Sequence, residues 1–157
     1  MHAYRTEHDA LGVRELPAEA LYGIHALRAK ENFPDGSRFP IEWYKATGRI
    51  KEAYYLAAER YFQLLKEEGL EDRLPQPPPR PEVLPALAAA SRRVAAGEHF
   101  GHFIVPGISG GAGTSINLNV CEIITNVALV GMGHKPGNYD LIDPILHANL
   151  FQSTNDV

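Results

Sequence analysis

The chain has 157 residues, of which 45% are hydrophobic and 22% charged, and its formal net charge is −4. That length and composition predict one folded domain rather than a disordered chain, and the acidic balance argues against a nucleic-acid partner. The single cysteine excludes an internal disulfide, and neither a signal peptide nor a membrane-spanning segment is recognised, so we expect a cytoplasmic protein without a membrane partner.

The first part of the chain predicts a hairpin followed by helices. Weak alternation over residues 3–15, turning around residues 8–12, favours a small β-hairpin. Residues 17–33 look like short helical turns interrupted at Gly23, and a long helix is predicted over residues 41–68. Three- and four-residue spacing defines the apolar face of that helix: Ile50, Ala53, Tyr54, Ala57, Tyr61, Leu64 and Leu65.

A proline-rich segment over residues 75–81 separates this helix from the next one. Because it joins two helices of one domain, we predict a stiff spacer, with a ligand for SH3-type domains as the alternative. The second helix is predicted over residues 82–96. Its inward residues are Val83, Leu84, Leu87 and Val94.

A third helix, predicted over residues 114–131, is apolar around nearly its whole circumference, which indicates burial. Ser115, Asn119, Glu122 and Asn126 nevertheless form one polar stripe along it. An unpaired buried polar group costs about 1–3 kcal/mol or more. The stripe should therefore meet polar groups of another helix, another subunit or a ligand.

A glycine-rich turn over residues 107–115 leads into this third helix. Backbone N–H groups at the start of a helix can hold an anion. The turn lacks the Gly-Lys-Ser/Thr ending of a phosphate loop, and no strand precedes it, so a carboxylate held by the Thr114 and Ser115 hydroxyls fits better. A plain capped helix with a glycine hinge is the alternative.

Two further groups carry possible chemistry. His99 and His102 have a spacing that metal ligands can use, but no third ligand is evident, so we predict neither a metal site nor another cofactor. Cys121 lies inside the buried helix and is predicted to be an inert core thiol.

Residues 132–146 form a Gly- and Pro-containing connection to the polar cluster at residues 152–156. That cluster is interpreted either as a helix cap or as a pocket for a small charged ligand.

Three blocks of the sequence resemble the aspartase/fumarase superfamily, in the form found in aspartate ammonia-lyases. They are residues 11–33, with Tyr-Gly-Ile-His-Ala-Leu-Arg at their centre, residues 111–119 together with Glu122, and residues 144–157 with Gln-Ser-Thr-Asn-Asp. They follow the order of the family and span the chain.

The resemblance implies a mainly α fold, a helical N-terminal domain with a small β-hairpin. Residues 1–152 would form this domain, and residues 153–157 would begin the first helix of a central bundle that is otherwise missing. Family members pair such bundles into tetramers, so a homo-oligomer or a complex with a C-terminal lyase chain is expected. The mobile loop that carries the catalytic serine is absent, so no catalytic residue is assigned to this chain.

The resemblance also implies roles for individual residues. Thr114, Ser153 and Thr154 match residues that hydrogen-bond the β-carboxylate of the substrate, with Ser115 beside them, and Asn155 matches a residue that holds its amino group. Supporting residues are Asn117, Asn119, Glu122, His147, Asn149 and Gln152. In the family the two blocks that face one substrate are expected to come from different subunits.

Some positions depart from the family pattern. Ile145, Leu146 and Phe151 stand where polar residues are usual, and Cys121 replaces an Asn, which makes the surroundings of the predicted pocket less polar.

The leading hypothesis is the N-terminal portion of an aspartase-type lyase, which removes ammonia from L-aspartate to give fumarate once the missing part is supplied. One alternative is a non-catalytic truncated paralogue, in which helix 114–131 would lack its cover and the isolated chain would aggregate. The others are a small-dicarboxylate-binding domain and a fumarase-like elimination on another diacid.

Overall fold

The computed structural model describes residues 3–74, 77–109 and 112–156. These residues form a hairpin and a set of helices, in the order β1 (Tyr4–Asp9), β2 (Gly12–Pro17), α1 (Ile24–Asn32), α2 (Ile41–Glu67), α3 (Val83–Ala95) and α4 (Thr114–Gly131). Short 3₁₀ turns lie at Glu71–Arg73 and Phe100–His102. The predicted mainly helical fold with an N-terminal hairpin is confirmed.

The hairpin is closed by a tight turn, and the Asp9 carboxylate in that turn ties it to α1. β1 and β2 pair antiparallel, and Gly12 has a φ of 106°, a left-handed conformation that favours glycine. The Asp9 carboxylate accepts the Leu11 N–H at 2.9 Å and two bonds from the Arg28 guanidinium at 2.6 and 2.7 Å. The hairpin therefore packs at a defined place beside α1.

Helices α2 and α3 approach each other closely because α2 carries a glycine at the contact. A Cβ atom at Gly48 would lie 2.5 Å from the backbone nitrogen of Ala95. The four residues predicted to point inward from α3 are buried: Val83, Leu84, Leu87 and Val94. The prediction for this helix is confirmed.

The apolar face predicted for α2 is wrong. Ile50, Tyr54, Tyr61 and Leu64 are exposed large side chains. The buried residues of α2 are Tyr44, Thr47, Gly48, Lys51, Tyr55 and Ala58. The helix turns this second face inward because Gly48 permits close packing, while buried polar atoms on it find hydrogen-bond partners. Apolar spacing alone did not carry that information.

Helix α4 is the centre of the molecule, and every residue from Ile116 to Leu129 is buried. Its cover comes from the chain itself: α1 and α3 pack on it, as do Ile142, Ala148 and Leu150 from the C-terminal segment. The expectation that this helix would lack its cover in an isolated chain is therefore wrong.

The C-terminal segment, residues 132–156, contains no regular helix or strand among its described positions. Residues 77–80 of the predicted spacer have no regular structure, and Pro75 and Gln76 lie outside the described residues. Among residues 3–74, 77–109 and 112–156, no helix combines the length and apolarity needed to cross a membrane.

Candidate functional site

The polar stripe of α4 contacts the rest of the same chain. The Glu122 carboxylate lies at the start of α1 and accepts three backbone N–H groups, from Gly23 and His25 at 2.8 Å each and from Ala26 at 3.2 Å. A carboxylate is favourable there because the first N–H groups of a helix lack intrahelical partners. Glu122 therefore holds the start of α1 against α4.

A second buried carboxylate reaches the same helix end. Glu7 of β1 accepts the Ile24 N–H at 2.8 Å and also bonds the Arg5 guanidinium and the Tyr139 hydroxyl. Burial raises the pKa of Glu122 to about 8, and the nearby Glu7 charge acts in the same direction, whereas the backbone N–H groups lower it. These two carboxylates join the hairpin, α1 and α4.

The two asparagines of the stripe hold loops. The Asn119 side chain accepts the Ile104 N–H at 2.8 Å and donates to the His102 carbonyl at 3.2 Å. Asn126 donates to the Leu21 carbonyl and accepts a backbone N–H from the C-terminal segment. The stripe was predicted to need polar partners, and from Asn119 to Asn126 it finds them mostly in backbone groups of this chain.

The fourth stripe residue, Ser115, lies in the first turn of α4 and follows Thr114, the first residue of the helix. Here the sequence block at residues 111–119 meets the block at residues 144–157. The Thr114 hydroxyl donates to Asn155 Oδ1 at 2.7 Å and lies 3.3 Å from the Thr154 hydroxyl, although the paired residues are 41 and 40 positions apart. Asn155 is exposed, and Thr114, Thr154 and Ser115 are partly exposed. We call Thr114, Thr154 and Asn155 the hydroxyl-amide cluster.

This arrangement corrects one expectation. The two blocks were expected to face a substrate from different subunits, yet Thr114 and Asn155 are in hydrogen-bond contact within one chain. The C-terminal segment folds back over the start of α4, which brings the blocks together without a second copy. Gly110 and Gly111 of the glycine-rich turn lie outside the described residues, so that part of the anion-binding prediction stays a prediction.

A buried polar layer lies beneath the hydroxyl-amide cluster. Asn117 Nδ2 donates to Asn149 Oδ1 and to the Thr154 carbonyl, both at 2.9 Å. Asn149 Nδ2 donates in turn to the Gln152 carbonyl at 3.0 Å. The residues predicted as supporting are thus partly gathered here, as Asn117, Asn149 and Gln152, whereas Asn119 and Glu122 bond elsewhere.

Sequence reasoning missed one member of this layer. Lys51 of α2 is only 1% exposed, and its Nζ donates to Asn149 Oδ1 at 3.1 Å and to Gln152 Oε1 at 2.5 Å. A signal was present, since Lys51 stands four residues from Thr47 and from Tyr55, both on the buried face of α2. The apolar spacing used to predict the buried face of α2 does not include Lys51, and a charged residue is rarely buried.

His147 and Ser153, which were also predicted as site residues, bond within the C-terminal segment. His147 Nδ1 accepts the Asp143 N–H at 2.8 Å, and burial lowers the pKa of His147. The exposed Ser153 accepts the Asn155 N–H at 3.4 Å and donates its own N–H to Asp156. Both side chains therefore shape the C-terminal segment, in which residues 154–155 form a turn. The bundle helix predicted to begin over residues 153–157 stays a prediction, because Val157 lies outside the described residues.

Three residues that depart from the family pattern, Ile145, Leu146 and Phe151, are exposed. Phe151 is 52% exposed and packs its ring against Tyr61 and Phe62 of α2, with centroid distances of 5.8 and 5.6 Å. The bulk at position 151 therefore contacts α2.

The two remaining reactive groups are accounted for locally. Cys121 is a free buried thiol, and burial raises its pKa, as expected for an inert core cysteine. His102 Nδ1 accepts the Leu21 N–H at 3.2 Å. Over the described ranges, no three His, Cys, Asp or Glu side chains come together as metal ligands would.

Comparison with known proteins gives a consistent set of relatives, although no family model matches. The chain is 42% identical over 153 residues to an aspartate ammonia-lyase of a Bacillus species, covering 97% of this chain and 30% of that protein. It is 40% identical over 155 residues to the aspartate ammonia-lyase of Bacillus subtilis, covering 98% of this chain and 30% of that protein. The chain thus spans about 30% of the length of these relatives.

Solved structures agree with the sequence relatives. A fumarate lyase:delta crystallin from Brucella melitensis superimposes with a TM-score of 0.80 at 33% identity, covering 98% of this chain and 33% of that one. A class II fumarase from Schistosoma mansoni superimposes with a TM-score of 0.76 at 28% identity, covering 98% of this chain and 30% of that one.

Proposed function

We propose that the chain belongs to the aspartase/fumarase superfamily and is the N-terminal, carboxylate-binding portion of an aspartate ammonia-lyase. The whole enzyme would remove ammonia from L-aspartate to give fumarate, reversibly. The observation that carries the proposal is the meeting of Thr114 with Thr154 and Asn155 at the start of α4. Relatives that are 35–42% identical over 97–98% of this chain are aspartate ammonia-lyases.

Helix α4 is a suitable support for a carboxylate. Its N-cap, Gly113, has no side chain with which to cap the helix, and among the described residues no side chain accepts the first N–H groups of α4. These N–H groups are therefore proposed to face a ligand. The Thr114 and Thr154 hydroxyls add donors that can rotate toward carboxylate oxygens. Ser153, exposed one residue before Thr154, and Ser115 are proposed to complete this set.

The chemistry needs donors that bind more strongly as the reaction proceeds. When a base removes a proton from Cβ of L-aspartate, the electron pair moves onto the β-carboxylate and gives an enediolate. Hydroxyl and N–H donors at those oxygens then strengthen their bonds, which lowers the barrier. The C–N bond at Cα breaks next, ammonia leaves, and the carbon–carbon double bond of fumarate forms.

Asn155 is proposed to hold the substrate amino group. Its Oδ1 accepts the Thr114 hydroxyl at 2.7 Å in the chain without substrate. When that hydroxyl turns to donate to the substrate carboxylate, the Oδ1 lone pairs are available to an ammonium donor. The base is proposed to come from the part of the enzyme that this chain does not include. A homo-oligomer or a complex with that C-terminal part, in the cytoplasm, completes the proposal, and no metal or cofactor is required by it.

The test is to restore the missing part and measure product. Residues 1–157 would replace the matching N-terminal part of the Bacillus subtilis aspartate ammonia-lyase, and fumarate formation from L-aspartate would be followed by ultraviolet absorbance. We expect activity, and we expect Thr114→Val to lower kcat about 10²–10³-fold, the usual effect of removing one such donor.

A matched control exists on the same helix. Thr125 is fully buried, and its hydroxyl has no hydrogen-bond partner within the described residues. Thr125→Val removes the same atom type and should leave kcat unchanged. A folded fusion that releases no ammonia from L-aspartate would refute the aspartase proposal, and activity on a hydroxy diacid instead would favour the fumarase-like alternative, consistent with the fumarase among the structural neighbours.

A further inference from the structure

Lys51 is a buried lysine that pairs with no carboxylate in the part of the chain that the structure describes. It is among the largest fully buried side chains of the protein, yet it forms no salt bridge with a carboxylate of the described residues. Its Nζ bonds instead to two neutral amide oxygens, those of Asn149 and Gln152. A buried charge is costly unless it is paired, so this ammonium retains an uncompensated positive potential inside the protein.

The hydrogen bonds of Lys51 lead directly to the proposed site. Asn149 Oδ1 accepts both Lys51 Nζ at 3.1 Å and Asn117 Nδ2 at 2.9 Å. Asn117 Nδ2 also donates to the Thr154 carbonyl at 2.9 Å. Lys51 therefore ties the C-terminal segment to α2, while Asn117 ties the same segment to α4 beneath the hydroxyl-amide cluster.

We propose that Lys51 is a positioning residue for the carboxylate site, and that its positive charge selects for a doubly charged substrate. The inference rests on the proposed function. Lys51 holds Asn149 and Gln152 in place, these hold the backbone that carries Thr154 and Asn155, and the unpaired charge attracts a carboxylate bound above them. Lys51 touches no reacting atom in this scheme, because the buried amides lie between it and the hydroxyls.

The test separates charge from packing. In the fused enzyme, inhibition by succinate, a dicarboxylate, would be compared with inhibition by its monoamide succinamate. Lys51→Met keeps the length of the side chain and removes its charge, so succinate should bind about tenfold more weakly and succinamate much less so. Lys51→Arg should restore the preference for succinate, and Lys66→Met, which removes an exposed charge from the same helix, should leave it unchanged.

A second variant protects the test against misfolding. Gln152→Glu keeps Lys51 and places a carboxylate where Gln152 Oε1 now lies, 2.5 Å from Nζ. It should weaken succinate binding without lowering the melting temperature, because the new ion pair neutralises the potential while holding the loop. An unchanged ratio of succinate to succinamate inhibition in both variants would overturn the selection of charge by Lys51.

Failure of the proposed function can be distinguished from failure of the role proposed for Lys51. If the unmodified fusion binds no succinate, the carboxylate proposal fails, and the positioning role is judged by amide hydrogen exchange in the 157-residue chain alone. Lys51→Met should accelerate exchange at residues 149–155 more than in α3. Exchange at those residues equal to that of the wild type would overturn the positioning role as well.

Discussion

The junction of α1 and α4 leaves no room for a methyl group at Gly23, and this gives a sharp prediction. A Cβ atom there would lie 2.7 Å from Glu122 Oε1 and 2.7 Å from the Tyr139 hydroxyl, whereas ordinary contact begins at 3.4 Å. Each group would have to retreat by 3.4 − 2.7 = 0.7 Å. The φ of Gly23 is −116°, which any residue adopts, so the cost of Gly23→Ala is steric.

The magnitude follows from the bonds that the retreat would break. Glu122 accepts N–H groups at 2.8, 2.8 and 3.2 Å, and a shift of this size takes at least one or two of them beyond bonding range. Each buried group left unpaired costs about 1–3 kcal/mol, and the gain from a less flexible unfolded chain offsets about 0.4–1 kcal/mol. The free energy of unfolding should fall by about 2–4 kcal/mol, which lowers the melting temperature by about 5–15 °C.

The assay is thermal unfolding followed by circular dichroism. Gly36→Ala is the matched control, because nothing lies within 4 Å of a Cβ at that exposed position. We expect the melting temperature of Gly36→Ala to equal that of the wild type. In a Glu122→Ala background the penalty of Gly23→Ala should shrink, since one of the two obstructing groups is gone. Equal melting temperatures for the two single glycine variants would refute the reasoning.

Three further outcomes are expected. Burial raises the pKa of Glu122 to about 8 from its ordinary value of 4.5, so the stability that it contributes is complete below pH 4.5 and is lost as pH rises through 8. The free energy of unfolding of Glu122→Gln, measured in urea, should therefore vary less between pH 5 and 8.5 than that of the wild type. An equal dependence of this free energy on pH in the two proteins would contradict the assignment. Asn119→Ala should lower the free energy of unfolding by about 2–4 kcal/mol in urea titrations, because it leaves the N–H groups of Ile104 and Val105 without their acceptor. A change below about 0.5 kcal/mol would contradict this role of Asn119. Phe151→Ser should leave the kcat of the fused enzyme within about twofold, since its ring packs on α2; a larger loss would place the ring in the site.

Much of the architecture could be predicted from local sequence. The hairpin over β1 and β2, the position of α3 and the burial of α4 all follow from spacing, glycines and uninterrupted apolar stretches. The Glu122 position was recognised as a buried polar residue that needs partners, because a carboxylate on an otherwise apolar helix must be satisfied somewhere. Two motifs separated by about forty positions were also recognised as belonging to one site, through their resemblance to a family.

What local sequence did not reveal was which groups meet. The partners of Glu122 are backbone N–H groups of α1, and backbone donors leave no trace in residue identity. Whether Thr114 meets Asn155 in one chain or across subunits depends on the path of residues 132–156, which have no periodicity to interpret. These contacts are long-range, so they exist only once the segment has folded back.

The face that α2 buries shows the same division most clearly. By itself the sequence determined that a long helix begins after Pro40 and that apolar residues recur along it, because helix formation depends on neighbours within one or two turns. Only the tertiary structure decided that Gly48 and Lys51 point inward while Tyr54 and Leu64 remain exposed. A lysine can be buried only where distant amide oxygens converge on its ammonium, and those oxygens are placed by the fold as a whole.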